Sequence, residues 1–165
     1  MSTKDKQLGS QPTPEERTAH VQALIERLTA NSPIYNILLS SVQLISTTPG
    51  VVTTHLTLTP THVNSRGSLH GAVSAAIVDF TTGLAIGAWD LRSTTGASVD
   101  MHLSYLSTAV VGDTLEMVAT AERVGGSLAY TTVRISKLVD GGEPKLVTLG
   151  QHTKYVKLPG QSGMN

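Results

Sequence analysis

The sequence contains no cysteine. Disulfides, a thiol nucleophile and thiolate metal ligands are therefore excluded. It has no surplus of charge: 12 basic residues balance 12 acidic ones. That removes the electrostatic case for a nucleic-acid partner or an anionic membrane surface. Aromatic residues are scarce and form no aryl-binding box, with one Phe and one Trp in the chain. His20, His55, His62, His102 and His152 are scattered without metal-ligand spacing, so no metal site is expected. A G-x-S-x-G nucleophile elbow is missing, which argues against Ser-His-Asp chemistry. The stretch Met1–Gln7 has no apolar run behind it. A secretory signal is not expected, and the stretch is too acidic and too poor in Arg for a usual mitochondrial presequence. The expectation is a soluble intracellular protein, cytoplasmic first and mitochondrial second.

What is present reads as one domain, since 165 residues suffice for a single core. Residues 1–12 are polar and read as a disordered tail, residues 13–157 as the domain, and residues 158–165 as a second loose tail. Thr13-Pro14-Glu15-Glu16 is a helix start with a capping Thr, Pro in the first turn and Glu at the third position. Asn31-Ser32-Pro33 stops that helix and opens a short second one. Strand signals cover Val42 to Thr47 and Val51 to Thr59, joined by Thr48-Pro49-Gly50, which suits a type II turn. After residue 92 the pattern returns to period two, in four strands separated by Gly112-Asp113, Gly125-Gly126-Ser127 and Asp140-Gly141-Gly142.

Between the two groups of strands lies the stretch that organises the chain. From Gly71 to Trp89 the only charged residue is Asp79. The segment is apolar almost all round, which predicts a buried helix rather than a membrane span, because its flanks are strand-like. It is also the one element able to cover the apolar face of an antiparallel sheet. The expected fold is α+β, a sheet wrapped around a long central helix. A carboxylate in the middle of such a helix is costly unless paired. No Lys or Arg stands three or four residues away: those positions are Ala75, Ala76, Thr82 and Gly83. A local ion pair cannot account for it.

The helix start offers a complementary group. Its first N–H groups have no internal partner and lie at the positive end of the macrodipole. Gly71 has no side chain to block approach, so its N–H can polarise a carbonyl. Asp79, a base or nucleophile, is eight residues further on, roughly 12 Å along one helix. One carbonyl cannot reach both groups of the same helix. Two such helices, antiparallel across a two-fold axis, would set Gly71 of one chain against Asp79 of the other. The small residues Ala72, Ala75 and Ala76 permit that approach.

The run Asn64-Ser65-Arg66-Gly67-Ser68-Leu69-His70-Gly71-Ala72, with Asp79 following, resembles the hotdog-fold acyl-CoA thioesterases. The nearest subgroup is PaaI-like, of the thioesterase superfamily member 2 (acyl-CoA thioesterase 13) type. The likeness spans about residues 31–156 and continues through Gly96–Met101, Ser104-Tyr105 and Gly150–Lys154. It implies a hotdog fold and hydrolysis of an acyl thioester, with coenzyme A as part of the substrate and no resident cofactor. Asp79 would activate water or attack the thioester, Ser98 would position the water, and Gly71 would supply the oxyanion N–H. Asn64 and His70 would shape the site near Gly71. Asn64, His70 and Gly71 would come from one subunit, Asp79 and Ser98 from its partner. The family resemblance also implies a homotetramer built from such dimers.

Three departures bear on the substrate. Ala72 stands where the family has a second Gly, tightening the pocket. Phe80 stands where a polar residue is common, altering the acyl pocket. The turn holding Gly126 and Ser127 lacks the usual Lys residues for coenzyme A phosphates, leaving Arg66, Arg123 and Lys154 as the nearest cations. Release of an acyl group from a carrier protein is the alternative within enzymes, and a non-catalytic acyl-binding hotdog protein the alternative outside them. Bland readings stand beside the sharp ones: Asp79 as a structural carboxylate, His70 as a helix cap, Ser98 as an ordinary strand residue, Asn64 as a loop stabiliser.

Overall fold

A computed structural model describes residues 11–157. The N-terminal tail lies almost wholly outside them and the C-terminal tail entirely so. Helix α1 (Pro14–Asn31) begins as its sequence requires: Thr13 Oγ1 accepts from Glu16 N at 3.2 Å, and Glu16 Oε2 accepts from Thr13 N at 2.8 Å. Ser32 ends α1, donating its N–H to Leu28 O, and caps α2 (Pro33–Leu39). Strands β1 (Gln43–Thr48) and β2 (Val51–Thr57) form a hairpin. Gly50 at its turn has φ 75°, the left-handed geometry a type II turn demands of its third residue. A single 3-10 turn, Pro60–His62, leads toward α3 (Gly71–Asp90), the long helix. Strands β3 (Ala97–Tyr105), β4 (Thr114–Val124), β5 (Leu128–Lys137) and β6 (Lys145–Tyr155) follow and complete the described residues.

The six strands make one antiparallel sheet in the order β1-β2-β4-β5-β6-β3. The element sequence is the expected one, but a plain run of hairpins is not. The Gly112-Asp113 turn does not pair β3 with β4. It carries the chain from β3, at one edge beside β6, across to β4 beside β2. This crossover brings β3 next to the last strand, and that adjacency matters below.

Helix α3 is buried because the sheet curls about it. From Phe80 to Ala88 every residue is buried. It is long and apolar enough to cross a membrane, but 78% of its most apolar window is packed inside the protein. Leu56, Leu115, Met117, Ala119, Val133 and Ile135 face it from the inner rows of β2, β4 and β5. Glycine permits close approach at one point in particular: a Cβ on Gly150 of β6 would come within 2.8 Å of Val78 on α3.

The C-terminal end of α3 is closed by α1. Buried Arg17 donates from Nη1 to Ala88 O and, at 3.4 Å, to Trp89 O. Nε2 of His20 lies 3.0 Å from Arg92 O, and Arg27 donates to Ser93 O. Cations belong at this end of a helix, where carbonyls lack internal donors. Arg17→Met keeps an apolar stem and removes the donor. It is expected to cost about 2 kcal/mol of unfolding free energy, the usual worth of a hydrogen bond from a charged group. Urea midpoints of the two proteins check it.

Candidate active site

β6 does not follow the polar-out rule of a half-buried strand. Its inward row is Thr148, Gly150, His152 and Lys154, all buried. These residues meet the one polar side of α3. Thr82 Oγ1 lies 2.8 Å from His152 Nδ1, and Lys154 Nζ donates to Asp79 Oδ1 at 2.8 Å. The charge that no local residue balances is thus paired with a Lys from the last strand. Reading Lys154 as a nearby cation for coenzyme A phosphates is corrected here: its side chain is 4% exposed and committed to Asp79.

Three further groups surround Asp79, whose side chain is 33% exposed. Tyr35 of α2 donates its hydroxyl to Oδ2 at 2.6 Å. Ser98 of β3 donates to Oδ1 at 3.3 Å. His152 Nδ1 is 4.0 Å from Oδ1. Burial works to raise the Asp79 pKa, but hydrogen bonds from Lys154 and Tyr35, with the Lys154 charge, outweigh it. The carboxyl is held below its ordinary value and is ionised at neutral pH. Burial, followed by the neighbouring Lys154 charge, pushes the His152 pKa down to about 4, so its imidazole is neutral there.

Ser98 reaches Asp79 because of a β-bulge. Ala97 and Ser98 pair with Tyr155 and Lys154, but Asp100 pairs with Thr153, leaving Val99 as an extra residue. Met101 and Leu103 pack on the core, so strict alternation would turn Ser98 outward with His102 and Ser104. The extra residue reverses the parity and aims Ser98 at the helix.

The opposite half lies at the start of α3. His70 is the N-cap, and its Nδ1 accepts from Ala72 N at 3.0 Å. Val73 N and Ser74 N donate to His70 O. Among the described residues, no acceptor is found for the Gly71 N–H. Asn64 Oδ1 accepts from Arg66 N at 2.9 Å and from Ser68 N at 3.3 Å, closing the loop before the helix. The Tyr105 hydroxyl donates to Gly71 O at 3.3 Å. Asn64, Arg66, Gly71, Ser74 and Tyr105 line a groove of about 320 Å³.

The two halves do not meet within one chain. Gly71 lies beside Tyr105 at the end of β3, and Asp79 beside Ser98 at its start. Between them, the residues of α3 that are not fully buried are Ala72, Ala75 and Ala76. They form a shallow open stripe from the free N–H to the carboxylate. Ala72 is exposed on it, whereas Phe80 is only 1% exposed and belongs to the core. Reading Phe80 as a pocket-lining residue is therefore corrected; it reaches the site only through Tyr35, whose ring it meets edge-on at 5.2 Å. Arg123, Gly126 and Ser127 are exposed. Register places their turn at the Ser98 end of the sheet, since Ser98 pairs with Lys154, Lys154 with Ala129 and Ala129 with Val124. Arg66 is exposed at the Gly71 end.

Sequence reasoning missed Tyr35 and the pairing of Lys154. Nothing local marks Tyr35, which is 44 positions from Asp79. The signal for Lys154 was the unpaired carboxylate itself, which required a cation from elsewhere.

Comparison with known proteins agrees with this architecture. Residues 66–143 match the Thioesterase superfamily. Human acyl-coenzyme A thioesterase 13 is 32% identical over 141 residues, 84% of this chain and 98% of that protein. The crystal structure of zebrafish thioesterase superfamily member 2 superposes with a TM-score of 0.72 at 31% identity, covering 87% of this chain and 98% of that one. Escherichia coli PaaI, from the phenylacetic acid degradation operon, shares the fold with a TM-score of 0.66 at 17% identity, over 84% and 95% of the two chains.

The buried pair makes a prediction about stability. A carboxyl with a depressed folded pKa contributes stability above its unfolded pKa and loses it only as pH falls through the folded value. The parent's Asp79 contribution therefore persists below the ordinary carboxylate range. Lys154→Met leaves Asp79 partly buried without its cation, so burial raises its pKa. The variant's deficit in unfolding free energy should be largest at pH 7 and shrink toward pH 4, as a proton neutralises Asp79. Urea titrations across that range test it; a deficit independent of pH would exclude the pair as its source.

Proposed function

This chain belongs to the thioesterase superfamily, and from that premise we propose that it hydrolyses acyl-CoA thioesters to a free acid and coenzyme A. The observation that carries the reading is the open stripe on α3, with an unpaired N–H at Gly71 and an ionised carboxylate at Asp79. Hydrolysis of a thioester needs both: a donor for the developing oxyanion and a carboxylate to activate the nucleophile. The separation along one helix supports a site shared across a dimer, in which each chain gives Gly71 to one site and Asp79 to the other.

In this scheme the thioester oxygen accepts from the Gly71 N–H, which concentrates positive potential at a helix start. His70, held by its bond to Ala72 N, and Asn64 keep the approach to that N–H in shape. Water held by the partner's Ser98 gives a proton to the partner's Asp79 and adds to the carbonyl carbon. The tetrahedral oxyanion collapses, the C–S bond breaks, and the thiolate takes up the proton. Direct attack by Asp79, forming an anhydride that water then opens, uses the same groups. Coenzyme A enters only as the leaving group and its handle. Exposed Arg66, Arg123 and the Gly126-Ser127 turn are the groups proposed to hold it.

The commitment of Lys154 to Asp79 favours a second reading. It leaves Arg66 and Arg123 as the cations for phosphates, a thin supply for free coenzyme A. An acyl group delivered on a carrier protein would need fewer. Side-by-side turnover of one acyl group on coenzyme A and on a carrier protein separates the two.

Thiol release from acetyl-, octanoyl-, palmitoyl- and phenylacetyl-CoA tests the activity itself. Asp79→Asn is expected to lower kcat by at least about 100-fold on each substrate turned over. Gly71→Pro removes the N–H while suiting the first helical position, and His70 already has the extended backbone a following Pro requires. Its kcat should fall by roughly 100- to 1,000-fold. Equal mixtures of the two variants, refolded together, should recover about a quarter of parental activity, because each mixed dimer holds one intact site. No recovery, or a monomer at micromolar concentration, would exclude the shared site.

A further inference from the structure

The groups facing Asp79 come from four elements: Tyr35 from α2, Ser98 from β3, Lys154 and His152 from β6, and Thr82 one turn along α3. The thioesterase reading uses Asp79 and Ser98 and explains Lys154 as the balancing charge. It leaves Tyr35 without a role. Yet Tyr35 makes the shortest hydrogen bond to the carboxylate, 2.6 Å. A phenol bonded to a carboxylate at that distance is a charge-assisted pair, stronger than a neutral one.

The phenol is held from several directions. Its ring is half-buried and meets Phe80 at 70° between planes. Phe80 is the residue next to Asp79, so the ring and the carboxylate are located by the same turn of helix. The carboxyl end of α2 is tied down as well: Leu38 O accepts from Nε2 of buried His62 at 2.8 Å, while His62 Nδ1 accepts from Thr59 N. α2 is thus fixed at both ends, and Tyr35 cannot swing away without breaking one of these contacts. Burial first, then the Asp79 bond and charge, push the phenol pKa above its ordinary value, so it remains a donor at every working pH.

We propose that Tyr35 is a positioning residue for the reacting carboxylate: by donating to Oδ2 it fixes the plane of Asp79 and the direction of its one unfilled lone pair. An ionised carboxylate has about four acceptor sites. Lys154 and Ser98 take two on Oδ1, and Tyr35 takes one on Oδ2. The remaining site is on Oδ2, beside the phenol. Water or the acyl carbon approaches there, along a direction that Tyr35 sets. The phenol also spreads the negative charge, so Asp79 stays ionised in acid and serves as a weak base with fixed aim.

This inference rests on Asp79 being the reacting carboxylate. Tyr35→Phe is the test, since it keeps the ring on Phe80 and removes only the hydroxyl. On the acyl-CoA that the parent hydrolyses fastest in the thiol-release screen, kcat should fall about ten-fold with KM unchanged, the scale of one charge-assisted hydrogen bond. The acidic limb of the kcat profile should move to higher pH, because the ionised carboxylate loses a donor. The melting temperature shows whether packing has changed. Parental kcat with an unmoved acidic limb would overturn the proposal. So would a lower kcat that accompanies a lower melting temperature with the limb unmoved, since that is a structural role alone. Asp79→Asn separates this failure from failure of the underlying reading. If that variant is inactive while Tyr35→Phe is parental, only the role of Tyr35 falls; if Asp79→Asn is fully active, both fall.

Discussion

A helix enclosed by sheet cannot carry a bare carboxylate, and the pairing of Asp79 with Lys154 is what allows this one to exist. The rest of the molecule is arranged to make the pair. β3 must lie against β6 for Ser98 and Lys154 to sit side by side, and this is why the chain crosses the sheet after β3 instead of turning back. β6 must turn polar residues inward, and α3 must present Ser74, Thr82 and Asp79 on the side that meets them. Apolar packing elsewhere, from β2, β4 and β5, holds the helix in place while this polar seam runs along one flank.

Much of this was legible in the sequence. A long apolar segment between two groups of alternating strands permits few architectures, and the structure has the expected α+β one. The anomaly of Asp79 was also visible, because every residue three or four positions away is uncharged. What could not be read was the partner. Lys154 is 75 positions away, and hydropathy patterns assign a Lys on a strand to the outer face. Strand order decides otherwise, and strand order is a property of long-range pairing that no local window contains. The same holds for Tyr35, whose helix is too short to show a period. Phe80 illustrates the opposite error: a polar residue common at that position in the family suggested a place in the pocket, yet one step along a helix from Asp79 turns a side chain by about 100° and sends it into the core.

The site is divided in the monomer. At the start of α3 an N–H is left over; about two turns further on, at mid-helix, an ionised carboxylate is held by Lys154, Tyr35 and Ser98. The residues between that are not fully buried are alanines, and the rest of that stretch is packed inside the protein. Side chains larger than alanine on that stripe would keep any second helix at a distance. Arg66 at one end and Arg123 at the other follow the same division. Each chain is organised as two complementary halves, and the helix that separates them is also the element that relates them.

The bulge at Val99 has a consequence for how such a chain can change. Reading frame in a strand is a parity, and one residue sets it. Loss of Val99 would leave Ser98 and Asp100 opposite Lys154 and Thr153 as successive pairs, so a regular strand would still point the Ser98 hydroxyl toward Asp79. Because β3 is an edge strand in the described sheet, either change, this loss or a straightening of the strand, would touch the ladder to β6 without disturbing a second neighbour. Deletion at that point would therefore keep serine and carboxylate together, whereas straightening the strand with Val99 retained would separate them. In a lineage of related chains, the length of this strand and the presence of its bulge carry information about chemistry only when read together.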